Sequence, residues 1–255
     1  MRFATTLSAA GFALCFAPMA AAGEASRPAS PVSPMRRENL AQLAKLGFVV
    51  APSLPTVRSE GPVRLRPMAE VATRLQTLAA VFFWAGVPER MVKDHVLEGA
   101  MLQGRLMDQA MNDDIEILDL TRAEAARKHG NTVGWRLENM WALAWVLGFE
   151  RAPSLGGQID DDTRRALLEF VRFPKERPSA LLERAKPRTV EEVDRMEDLF
   201  YCAHNAVRTA QLGDKTAVPE AFHPVRDGGA IHERRHSLTW VLSPGVEWDE
   251  TDLST

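Results

Sequence analysis

Two groups of side chains in this sequence have the types and spacing to do chemistry. His232-Glu233-Arg234-Arg235-His236 fits the pattern His-Glu-x-x-His letter for letter. On a helix, histidines at i and i+4 share a face and can both bind Zn²⁺, and the glutamate beside them can act as general base toward a metal-bound water. Zinc is thus the one cofactor with a case, and a zinc-dependent hydrolase is the activity it would serve. Both variable positions are arginine, however, which sets positive charge beside a dication. Glu247, Asp249, Glu250 and Asp252 could supply a third ligand only by folding back. The histidine pair also falls opposite the stripe Ile231, Leu238 and Leu242, a placement that suits solvated residues. The expectation is no metal site at His232 and His236, and no cofactor.

The second group is Asp198, Tyr201 and His204, spaced by three on one helix face. With Glu233 they could form an acid–base relay for a metal-free hydrolase or transferase; such a row also serves as a hydrogen-bonding stripe between helices. Cys202 beside them has no obvious partner base and reads as small core filler. Asp160-Asp161-Asp162 resembles a ligand cluster, but the positive end of a helix dipole accounts for it. No G-x-S-x-G, Walker A loop or G-x-G-x-x-G is present, so α/β-hydrolase, P-loop and Rossmann readings have no support.

The elements that must position these residues are helical. Leu40, Leu43 and Leu46 set the period of a first helix from Arg36, with Gly47 as its cap. Phe48 to Pro62 reads as a loop, punctuated by Pro52, Pro55 and Gly61. Pro67 to Trp84 is a long helix, and Pro88 opens another running to about Gln109. Thr121-Arg122-Ala123-Glu124 and Thr189-Val190-Glu191-Glu192 are capping boxes, the second starting a helix that runs to Leu212. Asn131 to Leu147 carries Trp135, Trp141 and Trp145 and is apolar around nearly its whole circumference, which predicts a central buried helix. A last helix runs from about Ala230 to Leu242. The expected fold is all-α, a single multi-helix globular domain with a tryptophan-rich central helix and long connecting loops.

Hydrophobic and charged fractions of 45% and 25% are those of an ordinary globular protein. A net charge of −3 with the signs interspersed gives no nucleic-acid footprint and no basic stripe for anionic lipid. The start is different in kind. Met1-Arg2, an apolar run from Phe3 to Ala17 and small residues at Ala20-Ala21-Ala22 predict a signal peptide over 1–22. A Pro/Ser-rich spacer over 23–35 and a helical domain over 36–255 follow. The expectation is a periplasmic or secreted protein without membrane insertion of the mature chain; the alternative is a cytoplasmic protein that starts at Met35.

Four stretches together resemble the domain of unknown function 4272 family. "RRENLAQLAKLGFVVAPSLP" is similar to that family's first helix and Leu-Pro loop, and "VGWRLENMWALAWVLG" to its tryptophan-rich helix. "MEDLFYCAHNAVR" resembles its Asp-Leu-x-Tyr helix, and "ERRHSLTWVL…EWDETDLST" its closing segment, which is the most specific of the four. The resemblance covers Arg36 to Thr255 and implies an all-helical domain without a transferable activity; the leader is a departure from it. Matching positions are Arg136, Glu138, Asp198, Tyr201, His204, Glu233, Arg234, Trp240, Trp248 and Asp249. They imply either a shared site or a buried polar network that fixes helix register. The functional expectation is a non-enzymatic helical protein with a protein or small-molecule partner.

Overall fold

A computed structural model describes residues 32–56 and 63–255. The predicted leader, most of the spacer and residues 57–62 of the Phe48–Pro62 loop lie outside the described residues. Among the described residues ten helices follow one another: α1 (Pro34–Lys45), α2 (Met68–Gly86), α3 (Asp94–Gly104), α4 (Asn112–Leu118), α5 (Arg122–His129), α6 (Arg136–Val146), α7 (Asp161–Val171), α8 (Pro178–Arg184), α9 (Val190–Gln211) and α10 (Arg226–Val241). Among the described residues there is no strand, so the protein is all-α. No described helix is long and apolar enough to cross a membrane.

Local rules explain many of the boundaries. Both capping boxes form: Thr121 caps α5 with Glu124 reaching back, and Thr189 caps α9 with Glu192 doing the same. The Asp160 carboxylate accepts from Thr163 N at 2.8 Å and caps α7, so the triple-aspartate run is a helix start. Gly148 ends α6 at φ +104°, and a β-carbon there would lie 2.5 Å from the Lys186 carbonyl. Only glycine lets the chain turn while residues 186–188 pair with the last carbonyls of α6.

Several of the expected helix bounds need correction. The stretch from Pro88 to Gln109 is not one helix: α3 begins at Asp94 and stops at Gly104, where Arg105 takes a left-handed φ of 53°. The last helix starts at Arg226, a turn earlier than its apolar pattern shows, because the Gly228-Gly229 pair lets it approach Val207 and Trp135.

The core is built around α2, α6, α9 and α10. Residues Leu137 to Val146 are all buried, so α6 has no solvent face and lies against both α2 and α10. Trp141 and Trp145 belong to α6, whereas Trp135 sits half-buried in the 3-10 turn before it. α10 also packs along α9, and α1 along the outer side of α9. Residues 247–255 then return along α10, with Trp248 buried in a 3-10 turn.

Among the described residues six arginines are buried: Arg36, Arg66, Arg74, Arg122, Arg234 and Arg235. Each has a carboxylate beside it and an aromatic ring under its guanidinium. Arg36 pairs with Asp198 over Tyr201, Arg66 with Glu70 over Trp240, and Arg74 with Asp114 over Trp248. Arg122 pairs with Asp94 over Trp84, Arg234 with Glu138 over Trp141, and Arg235 approaches Glu197 over Tyr201. A guanidinium is weakly hydrated and planar, so it can be buried between a ring and a carboxylate where an ammonium would be far costlier. Arg122 also donates to the Phe83, Trp84 and Val87 carbonyls and thereby closes the C-terminal end of α2.

Candidate functional site

The predicted acid–base row lies at the seam of α9 and α10, and it is buried. Asp198 is 6% exposed, Tyr201 3% and His204 5%. Asp198 Oδ1 accepts from Arg36 Nε at 2.6 Å, and Oδ2 from Asn39 Nδ2 at 2.8 Å. Both oxygens therefore serve to hold α1 against α9. The Tyr201 ring lies between two guanidinia, with Arg36 5.3 Å and Arg235 4.8 Å from its centroid. Burial raises the phenol's pKa, against the opposing pull of Arg36 and Arg235.

His204 meets Arg235, whose Nη1 is 2.6 Å from His204 Nδ1. A guanidinium only donates, so Nδ1 accepts and the ring's proton sits on Nε2. Burial, then the charges of Arg235, His232 and Arg208, push its pKa down to about 3. Arg235 is itself fully buried; its other donors reach the Leu253 carbonyl at 2.7 Å and the Ser254 carbonyl at 3.1 Å.

The His-Glu-x-x-His segment does form on α10, yet its histidines are not solvated residues. His232 and His236 are half-buried, and residues 247–255 cover this face. The 3.6-residue period placed them opposite the aliphatic stripe correctly; a segment folding back over that side removes them from water. His236 Nε2 donates to the Trp248 carbonyl at 2.9 Å, and its ring stacks 4.3 Å from that of Trp248. Burial pushes its pKa down to about 4. His204, His232 and His236 make a row, with ring centroids 5.2 Å and 6.5 Å apart. Among the described residues no three His, Cys, Asp or Glu side chains are grouped to hold a metal. Metal-bound histidines donate their second nitrogen to a carboxylate or carbonyl. His236 has that arrangement toward the Trp248 carbonyl, whereas at His204 the nitrogen faces Arg235, the reverse polarity.

The depressed histidines couple protonation to folding. Unfolded, each takes up its proton near the ordinary 6.5, while the folded rings wait until about 3 and 4. Between those values the unfolded chain holds more protons. Stability is therefore fully present above about pH 6.5 and falls as the pH drops toward 4, by at most about 1.4 kcal/mol per pH unit for each ring. Urea midpoints between pH 7.5 and 4.5 should show this decline, and His236→Gln should flatten it.

Glu233 stands apart from the row. It lines a different cleft of ≈ 320 Å³ with Asp113, Glu116, His129, Trp135 and Arg136, so the four predicted catalytic residues do not converge. Cys202 is fully buried, and burial, with Asp198 and Glu197 nearby, pushes its thiol pKa up to about 12. It is expected to resist iodoacetamide at about pH 8 in the native protein and to react once in about 6 M guanidinium. Fast native alkylation, followed by mass spectrometry, would count against a structural role.

A cleft of ≈ 410 Å³ opens directly above the row. His204, Arg208, His232, Leu253, Ser254 and Thr255 line it. Of these, the sequence singles out only His204 and His232 as residues that could do chemistry. The contribution of 253–255 depends on the return of the C-terminal segment, which no local pattern shows.

That segment is also where the sequence is most distinctive, and the geometry explains the pattern. His236 packs on Trp248 and Arg235 donates to the Leu253 and Ser254 carbonyls, while Arg234 between them in sequence pairs with Glu138. The profile described as Domain of unknown function (DUF4272) matches residues 35–251. The chain belongs to that family. No curated protein and no solved structure matches the chain. The matched span takes in all ten helices except the first residue of α1, together with the 3-10 turn at Trp248. Of the positions that matched the family in sequence, Glu138, Asp198, Tyr201, His204, Arg234, Trp240 and Trp248 are buried here, most of them within the arginine–ring–carboxylate groups.

Proposed function

We propose that this member of the family is a non-enzymatic helical binding protein that works outside the cytoplasm, with the cleft above His204 as its ligand site. The observation that carries the reading is the state of His204. A general base needs an unshared electron pair, and the pair on Nδ1 is already taken by Arg235 at 2.6 Å. Asp198, the acid that would orient it, is spent on Arg36 and Asn39 instead. What remains at the cleft is a rigid wall of donors above a locked network, which suits recognition.

Purified protein incubated with esters, amides, phosphate esters and glycosides should turn over none of them, and should carry clearly substoichiometric zinc. Turnover lost in Asp198→Asn, or one tightly held zinc lost in His236→Ala, would overturn the reading in favour of a hydrolase. Location outside the cytoplasm is supported by the charged start, apolar run and Ala-x-Ala site of residues 1–22. Expression in a Gram-negative host should yield a product beginning near Gly23 by intact mass. A product retaining Met1, or beginning at Met35, would remove that part of the proposal.

A further inference from the structure

We propose that the cleft between α9, α10 and residues 253–255 grips its ligand by an oxyanionic group, a carboxylate or a phosphate. This rests on the binding reading above and names the chemistry of the ligand. The floor of the cleft is the His204 ring, nine-tenths buried and fixed by Arg235 on its Nδ1 side. The opposite edge carries the Nε2 proton and has no hydrogen-bond partner among the described residues. That edge borders the open cleft, where water is what accepts from it, so an acceptor on a ligand can take the water's place. Its backing by a guanidinium makes it a better donor, because the cation draws electron density out of the imidazole.

The side chains around the cleft agree in sign. Arg208 is exposed at the rim; one Nη1 donates to Gln211 Oε1 at 2.6 Å and the rest of its fork is free to turn inward. The groups acting electrostatically on His204 are Arg235, His232 and Arg208, with no carboxylate among them. The nearby acids are committed elsewhere: Asp198 to Arg36 and Asn39, and Asp252 to Ser254 N at 2.9 Å. A cationic ligand would meet donors and positive charge. An apolar one would leave the Nε2 proton unsatisfied. An oxyanion accepts from both His204 and Arg208 in charge-assisted geometry, and the volume of ≈ 410 Å³ leaves room for a small organic body behind it.

The full chain, labelled with ¹⁵N at histidine, is titrated with inorganic phosphate, succinate and, as a cation control, choline. Saturable binding of phosphate or succinate, with the His204 Nε2 resonance moving, is the expected result; which of the two binds tighter separates a phosphate from a carboxylate ligand. Arg208→Ala, a surface change, should weaken that binding about tenfold without altering the melting temperature. Absence of saturation with both anions at millimolar concentration, tighter binding of choline, or anion binding unchanged in Arg208→Ala would each overturn the proposal. Those failures leave the binding reading intact as long as the substrate panel stays silent; turnover dependent on Asp198 would sink that reading instead.

Discussion

Replacing Arg234 by alanine is expected to cost about 3–5 kcal/mol of unfolding free energy, the usual penalty for removing one partner of a buried ion pair. Arg234 and Glu138 are 0% and 2% exposed at the side chain, and Arg234 Nη2 lies 2.6 Å from Glu138 Oε2. Without Arg234, Glu138 keeps only the Ile159 backbone N–H at 2.8 Å, too little to hold a buried charge. The Ser154 and Gly157 carbonyls lose their donors as well, so the 150–160 loop should exchange its amides faster than α10 does. Urea denaturation gives the global number. The double variant Arg234→Met, Glu138→Leu separates two causes, since an apolar pair of similar volume should recover much of the loss. A midpoint unchanged in Arg234→Ala would mean that the pair is solvated and that the buried-arginine account of this core is wrong.

Trp248→Ala is expected to cost a similar amount, about 3–5 kcal/mol, for a different reason. The indole is 2% exposed and fills a socket between the Arg74 guanidinium at 4.3 Å, the His236 ring at 4.3 Å and the Trp240 ring at 5.3 Å. Its removal leaves a void against Arg74, whose Nε and Nη2 have no hydrogen-bond partner and rely on the ring face. The substitution should also free residues 247–255, so limited proteolysis should clip the C-terminal segment before the body unfolds. A variant that resists protease at that segment would show that Arg66 and Arg235, through the Val246, Leu253 and Ser254 carbonyls, suffice to hold it.

The fold class and the starts of α2, α5, α7 and α9 were legible because their causes are local. Thr121 with Glu124, Thr189 with Glu192 and Asp160 with Thr163 are each three residues apart, and a capping geometry follows from that spacing alone. The apolar circumference of α6 likewise announces a helix without a solvent face. The buried arginines announce nothing. Arg74 finds Asp114 40 residues away, Arg234 finds Glu138 across 96 and Arg36 finds Asp198 across 162, so no periodicity can pair them. The candidate site shared this limit. Asp198, Tyr201 and His204 could be placed on one face of α9, but whether that face meets water or arginine depends on α1 and α10. The His-Glu-x-x-His segment was legible in letters and wrong in surroundings, because the residues that decide the roles of His204 and His236 are Arg235 and Trp248.

The return of residues 247–255 along α10 bears on when this chain can fold. Arg74 obtains its ring, and Arg235 two of its acceptors, from residues 248, 253 and 254. Without that segment Arg74 keeps Asp114 but loses its ring, and Arg235 keeps His204 and Glu197 but loses its two carbonyl acceptors. The packing around Arg74 and Arg235 is therefore complete only once residues 248–254 are in place.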